Sequence, residues 1–153
     1  MDVPTLPLTG GCCCGAIRYE VRALPYAVTV CHCRDCQRLT GSAFSMPMVV
    51  PQHAFSVTQG ASKTWERTAD SGNVSTQHFC DSCGTRLYTE PRSLPHCVTI
   101  RAGTLDDTSW LKPVAQVWTK SAQSWACSDD LLSYEANPED VGPILQAWQK
   151  AIA

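Results

Sequence analysis

Cys31-His32-Cys33-Arg34-Asp35-Cys36 is a C-x-C-x-x-C cluster whose spacing predicts a metal site. In an extended backbone, residues i and i+2 point to the same side about 6.5 Å apart, so Cys31 and Cys33 can converge on one ion. Cys36 then completes the set from the next turn. Three thiolates around a tetrahedral ion leave the fourth position to water or to a substrate atom, which is typical of a working zinc site and not of a purely structural one.

A second group of cysteines has the spacing of a closed metal site. Cys12-x-Cys14 and Cys80-x-x-Cys83 are two pairs that together supply four thiolates, and a glycine follows each pair directly. Glycine can take a positive φ and so let backbone N–H groups turn toward the sulfurs. Structural zinc binding of this kind contributes roughly 10–16 kcal/mol in small zinc-dependent peptides, so it can decide whether a fold exists.

The other three cysteines, and the identity of the metal, allow other interpretations. Cys13, Cys97 and Cys127 have no partner at ligand spacing, and we expect them to be buried as small hydrophobic residues. For the other seven, two close pairs and a triplet favour metal over chance, because such spacing has no packing rationale. Spacing alone leaves open how seven thiols divide between ions. Iron–sulfur ligation is the alternative for the triplet, although a closed four-thiolate site makes zinc the simpler assumption.

Composition and charge argue against several classes of partner. The 153-residue chain has a net charge of -2 and a pI near 6.0, and its Lys and Arg residues form no run that would attract nucleic acid or anionic membrane. Residues 1–8 have neither a basic start nor an apolar stretch of signal-peptide length, and no later segment is long enough to span a bilayer. We therefore expect a cytoplasmic protein without a nucleic-acid or membrane partner, in which ten cysteines favour metal ligation over disulfides.

The pattern of apolar residues predicts a mainly β fold of short antiparallel strands. Alternating or β-branched segments bounded by Pro or Gly occur at 16–22, 27–30, 44–50, 74–79, 86–89, 97–101 and 114–118. Pro47 predicts that its strand lies at an edge or a bulge. Residues 34–39 predict one short helical turn closed by Thr40-Gly41.

The C-terminus alone has a clear helical pattern. The predicted helix begins near Gly142 with Pro143 as its first residue. One face of it carries Val141, Ile144, Leu145, Trp148 and Ile152. We expect a single zinc-binding domain over residues 1–153, in which 135–153 form a helical extension.

A few further residues are candidates for a substrate pocket near the triplet. Trp118 and Trp125 flank a polar loop, residues 119–124, that can lie over the open metal position. Arg34 or Arg38 can offset negative charge or hold a carboxylate, the alternative being an ordinary solvated helix face. His32 alternates away from the two flanking thiols, so we expect it at the surface or in packing contacts and not as a ligand.

Five segments together resemble the glutathione-dependent formaldehyde-activating enzyme family. They are Gly11-Cys-Cys-Cys-Gly-Ala-Ile-Arg-Tyr19, Cys31-His-Cys-Arg-Asp-Cys-Gln-Arg38, Gly41-Ser-Ala-Phe44, Phe79-Cys-Asp-Ser-Cys-Gly-Thr85 and Gly103-Thr-Leu-Asp-Asp107. The resemblance spans most of the chain in order, and all seven zinc-ligand positions of the family are filled. One departure is Gln116, where many members have His before an apolar pair.

The resemblance implies a fold, two zinc ions and an activity. The fold is a β-rich, tent-like zinc fold. The structural zinc is implied on Cys12, Cys14, Cys80 and Cys83, and the catalytic zinc on Cys31, Cys33 and Cys36. The implied activity is a carbon–sulfur lyase step that joins formaldehyde and glutathione, with the substrate of this chain a glutathione or other small-thiol adduct of an aldehyde or similar electrophile.

The donor set of the triplet agrees with a thiol substrate. Zinc with three thiolates has a formal charge of about -1, so it lowers the pKa of bound water less than a three-histidine site does, and a soft thiolate is the better fourth ligand. The predicted role of the zinc is to bind the sulfur or the developing alkoxide of a hemithioacetal. Two alternatives stay open: a binding module with zinc in a structural role only, as in centromere protein V, whose zinc domain the chain also resembles, or another small-molecule enzyme on the same scaffold.

Overall fold

The computed structural model describes residues 3–153, so Met1 and Asp2 of the N-terminal segment lie outside the described residues. The fold is mainly β, as predicted. The strands are β1 Leu8–Gly11, β2 Arg18–Val21, β3 Ala27–Cys31, β4 Pro47–Pro51, β5 Phe55–Gln59, β6 Lys63–Thr68, β7 Val74–Phe79, β8 Arg86–Pro91, β9 Cys97–Arg101, β10 Ala115–Val117 and β11 Leu132–Ser133. The helices are α1 Arg34–Thr40 and α2 Gly142–Ala151.

The strands form two sheets. The smaller has the order β1-β2-β5, and the larger has the order β11-β10-β3-β4-β9-β8-β7-β6. The pairings are antiparallel, as predicted, except that β10 runs parallel to both β3 and β11. The segments of β5 and β6 were not predicted as strands, because most of their residues are exposed and no apolar alternation marks them.

The larger sheet has one apolar and one polar face because its strands alternate. Val98 and Ile100 of β9 are buried in the hydrophobic core, whereas Thr99 and Arg101 point to the opposite face. The small sheet covers the apolar face, where Phe55 of β5 lies between Tyr19 and Tyr88 with ring centroids 5.7 and 4.6 Å away. The polar face is left free to line a cavity.

Pro47 does not mark an edge strand, contrary to the prediction. β4 lies inside the larger sheet between β3 and β9. Pro47 is the first residue of β4, and it lies where the pairing with β3 is interrupted, between the pairs Val28–Met48 and Cys31–Ser45. The missing N–H is tolerated there because Pro47 itself forms no ladder pair with β3.

Both helices occur where they were predicted. α1 has seven residues, more than one turn, and ends at Gly41 with φ 62°. α2 begins at Gly142, and Trp148 is buried and donates from Nε1 to the carbonyl of Pro25 at 2.7 Å. Val141 lies outside the buried face assigned to it, with 54% of its surface exposed, because it precedes the helix.

Neither α1 nor α2 resembles a membrane span. Within residues 3–153, no helix combines the length and the apolar character that crossing a bilayer requires.

Candidate metal centres and the adjoining cavity

Four cysteines from two distant turns meet at one point. Cys12 and Cys14 follow β1, whereas Cys80 and Cys83 follow β7, and their four sulfurs all lie within 4.8 Å of one another. The Sγ atoms of Cys12 and Cys14 are 3.5 Å apart, and those of Cys14 and Cys80 are 3.8 Å apart. A tetrahedral ion with Zn–S bonds of 2.3 Å would place its sulfurs about 3.8 Å apart. The quartet can therefore hold a metal ion in a closed tetrahedral arrangement.

The glycines after the two pairs shape the turns as expected. Gly15 and Gly84 have φ angles of 78° and 77°. The first turn brings the N–H of Ile17 to 3.2 Å from Cys12 Sγ. Burial opposes ionisation of Cys12, but the Ile17 hydrogen bond and the neighbouring thiols together lower its pKa.

Thr85 joins the two turns and was not singled out in the sequence. Its Oγ1 accepts a hydrogen bond from the N–H of Cys13 at 3.0 Å and lies 3.1 Å from Cys83 Sγ. This hydroxyl, followed by backbone hydrogen bonds, lowers the pKa of Cys83 to about 5. The only signal in the sequence was its position directly after Gly84.

The cysteine triplet assembles where β3 passes into α1. Cys31 ends β3, Cys33 caps α1 and Cys36 lies in its first turn, and the three sulfurs are all within 4.8 Å of one another. Cys33 Sγ accepts the N–H of Cys36 at 3.3 Å. Hydrogen bonds from the thiols of Cys31 and Cys33 hold the pKa of Cys36 well below its usual range. Three converging soft donors can hold a metal ion and leave one tetrahedral position free.

A buried polar network lies behind the triplet. His32 is fully buried, as a packing role requires, and its Nε2 donates to Gln116 Oε1 at 3.3 Å. Gln116 Nε2 donates to the Ser128 carbonyl and to Ser133 Oγ, both at 2.7 Å. Gln37 Nε2 donates to the His32 carbonyl at 2.8 Å. Gln116, the departure noted in the sequence, thus holds the side chain of His32, while Gln37 holds its backbone.

The triplet opens into a cavity of about 640 Å³, a size typical of small-molecule sites. Its floor is the polar face of the larger sheet. The floor residues are Thr29, Ser45, Pro47, Val49, Ser75, Gln77, Thr89, Thr99 and Arg101. One wall is the turn between β6 and β7, and the other is formed by residues after β10.

Trp118 forms the second wall, as predicted, but Trp125 does not. Trp118 has a left-handed backbone with φ 59°, and its Nε1 donates to Asn137 Oδ1 at 2.9 Å. Lys120 Nζ lies 4.7 Å from the centre of the Trp118 ring. Trp125 is 73% exposed and is not among the residues lining this cavity, because the chain turns outward after Ser121.

The two candidate arginines of α1 line different cavities. Arg34 lines the cavity and donates to Gln37 Oε1, whereas Arg38 lines a second cavity of about 300 Å³ on the other side of the helix. Two further arginines of the main cavity were missed. Arg67 pairs with Asp35 at 2.9 Å, and Arg101 ends β9 on the polar face.

The three remaining cysteines are less buried than predicted. Cys13 and Cys127 are exposed, and Cys97 is half-buried, where burial raises its pKa. Cys13 lies at the tip of a tight turn and Cys127 in a surface loop, so neither has a core to enter. Within residues 3–153 all ten cysteines are free of disulfides.

Comparisons with known proteins agree with this geometry. A solved Rhodobacter sphaeroides protein, a structural-genomics target, is similar in fold with a TM-score of 0.55; it is 22% identical and the match covers 66% of this chain and 90% of that one. The family model described as glutathione-dependent formaldehyde-activating enzyme matches residues 7–121, which include both cysteine sets and most of the cavity. The chain therefore belongs to the glutathione-dependent formaldehyde-activating enzyme family.

Proposed function

We propose that this protein is a zinc-dependent carbon–sulfur lyase that acts on an adduct between a small thiol, such as glutathione, and an aldehyde or similar electrophile. The observation that carries the proposal is the difference between the two cysteine sets. The quartet offers four thiols from two turns, whereas the triplet offers three and opens into a cavity of about 640 Å³. A metal site with one vacant ligand position beside a cavity is suited to catalysis, whereas a closed four-ligand site is suited to a structural role.

The proposed reaction needs few groups from the protein. In the direction of synthesis, a bond forms between the thiol sulfur and the carbonyl carbon, and the thiol proton ends on the former carbonyl oxygen. Zinc held by Cys31, Cys33 and Cys36 would supply a Lewis acid and a soft position that prefers thiolate to hydroxide. Arg34 and Arg101 offset negative charge in the cavity, and Trp118 shields it from water.

The remaining parts of the proposal concern metal number, location and partners. We propose two zinc ions, a structural one on Cys12, Cys14, Cys80 and Cys83 and a catalytic one on the triplet. The proposed location is the cytoplasm. We also propose that the protein has no nucleic-acid partner, which its net charge of -2 supports; salt-sensitive binding of DNA or RNA at micromolar protein would contradict this.

Exchange spectroscopy tests the activity directly. Formaldehyde labelled with ¹³C is mixed with glutathione, and NMR measures the rate at which their hemithioacetal forms and breaks down. The native protein should accelerate this exchange, and Cys33→Ser should abolish the acceleration. Cys127→Ser is the matched control, because Cys127 is exposed and lies outside both cysteine sets.

A cobalt-substituted protein provides a second readout. Its visible spectrum should shift when glutathione is added, because the thiolate enters the coordination of the metal. If no thiol changes the visible spectrum and the protein does not accelerate the exchange, the lyase proposal is contradicted and a binding module is favoured.

A further inference from the structure

Arg101 differs from the other charged residues of the cavity. Four cationic side chains line the cavity, Arg34, Arg67, Arg101 and Lys120, against the carboxylates of Asp35 and Asp70. Arg67 is paired with Asp35, and Arg34 and Lys120 are exposed to solvent. Arg101 is half-buried, and within residues 3–153 no carboxylate lies at ion-pair distance from it.

The neighbours of Arg101 leave most of its donors unused. One terminal nitrogen donates to Ser45 Oγ at 3.3 Å, and the other lies 3.5 Å from Gln77 Oε1, the limit of a hydrogen bond. Both partners are neutral. A guanidinium has five N–H donors in a planar fork that matches a carboxylate, so donors remain for an anion entering the cavity.

The sheet register places Arg101 close to the cysteine triplet. Ser45, which accepts from Arg101, is paired with Cys31 through two backbone hydrogen bonds of 2.9 and 3.0 Å. Arg101 itself lies opposite Pro47, two residues further along. A ligand sulfur at the triplet and a carboxylate at Arg101 would therefore be separated by only a few bonds.

We propose that Arg101 is the specificity-determining residue of the cavity and binds the carboxylate of a thiol whose sulfur lies at the Cys31, Cys33 and Cys36 cluster. The ligand class is a small thiol with an anionic group a few bonds from sulfur. This inference rests on the proposed function, because it assumes that a thiol is the ligand. It adds to that function a named binding residue, Arg101, and the requirement that the thiol carry a negative charge close to the reacting sulfur.

Three thiols of equal chain length test the proposal in the cobalt-substituted protein. They are 3-mercaptopropionate, 3-mercapto-1-propanol and 3-aminopropane-1-thiol, and each Kd is taken from the spectral shift and corrected for the thiolate fraction of the ligand. In the native protein the acid should bind about tenfold more tightly than the alcohol, or about 1.4 kcal/mol, and the amine should bind most weakly.

Variants of Arg101 distinguish a specific contact with the carboxylate from a general effect of positive charge in the cavity. Arg101→Met should reduce the acid-to-alcohol ratio to about one, while Arg101→Lys should keep part of the preference, because lysine keeps the charge but lacks the planar fork. Arg38→Met is the matched control, because Arg38 lines the other cavity, and it should keep the native ratio. Metal content is measured in every variant, so a folding defect is recognised.

Each other outcome has a defined meaning. Equal weakening of all three thiols in Arg101→Met would mean that Arg101 only offsets the charge of the thiolates, and this would overturn the proposal. A preference for the acid that survives Arg101→Met would also overturn it. If no thiol shifts the spectrum of the native protein, the proposed function fails as well, whereas thiols that bind without discrimination overturn only the role of Arg101.

Discussion

At the scale of single residues, Thr85 links two turns that are far apart in the sequence. Its hydroxyl is shared between the N–H of Cys13 and the sulfur of Cys83, so one side chain connects both halves of the cysteine quartet. Mutation of a side chain that hydrogen-bonds a metal ligand typically lowers metal affinity by about 10–100-fold.

We predict that Thr85→Val weakens the quartet. Valine has a similar shape but leaves the Cys13 N–H and the Cys83 sulfur without the hydroxyl, so metal affinity should fall about tenfold. The free energy of unfolding should fall by about 1 kcal/mol. Competition with a chromophoric chelator and urea denaturation measure the two effects. Thr85→Ser keeps the hydroxyl and should behave like the native protein; equal losses in both variants would contradict the role assigned here.

Trp118 combines an unfavourable backbone with a position in the cavity wall. A left-handed conformation costs a non-glycine residue about 1–2 kcal/mol, and Trp118 adopts it with φ 59°. Hydrogen bonds and the cation–π contact with Lys120 hold it there. Such local strain is commonly found at functional sites.

We predict that Trp118→Gly and Trp118→Ala both weaken thiol binding but differ in stability. Both remove the ring from the cavity, while only glycine relieves the strained backbone, so Trp118→Gly should be more stable than Trp118→Ala by about 1 kcal/mol. Metal content should be unchanged. Urea denaturation and the cobalt spectrum supply the readouts. Trp125→Ala, at an exposed position, should leave thiol binding intact.

At the scale of elements, α2 is bound to the core although the family match ends at residue 121. Trp148 is 1% exposed, lies 6.4 Å from Trp110 between ring centroids, and donates to the Pro25 carbonyl just before β3. The segment before α2 also contributes Asn137 to the cavity. From these contacts we propose that the described chain unfolds as one cooperative unit.

We predict that Trp148→Ala lowers the free energy of unfolding of the whole chain by about 3–5 kcal/mol. Trp148→Phe should cost less, about 1–3 kcal/mol, because it mainly leaves the Pro25 carbonyl unpaired. Urea denaturation followed by circular dichroism should give one transition. Leu145→Ala, on the more exposed side of the same helix, is the control. Loss of helix signal alone, with the strand transition unmoved, would make 135–153 an independent extension.

At the scale of the whole molecule, the two cysteine sets lie in different structural contexts. The quartet ties the turn after β1 in the small sheet to the turn after β7 in the large one. The triplet lies within one continuous segment, from the end of β3 to the first turn of α1. Losing the first would remove a link between the two sheets, whereas losing the second would change the cavity.

We therefore predict unequal effects of removing one thiol from each set. Cys14→Ser or Cys80→Ser should reduce folding and soluble yield, whereas Cys33→Ser should leave a folded protein with about half the zinc content. Metal analysis and circular dichroism of the purified variants check this. Equal unfolding of all three variants would remove the distinction between a closed and an open set.

The sequence by itself determined the features that depend on the spacing of neighbouring residues. The C-x-C-x-x-C triplet, the two cysteine pairs with their glycines, most strands and the start of α2 could be predicted, because each follows from a few neighbouring residues and local geometry. The prediction was wrong for Pro47, Cys13, Cys127 and Trp125, because burial and position in a sheet depend on residues far away in the chain.

The tertiary structure alone decided which distant residues share the cavity. Arg67 and Arg101 lie on different strands, 34 positions apart in the sequence, yet both line the cavity, and Ser45 bridges Arg101 to Cys31. The same holds for Thr85 between the two turns and for Asn137 beside Trp118. Sheet register and strand order set these distances, and both are fixed by the packing of the two sheets against one core, which no local pattern encodes.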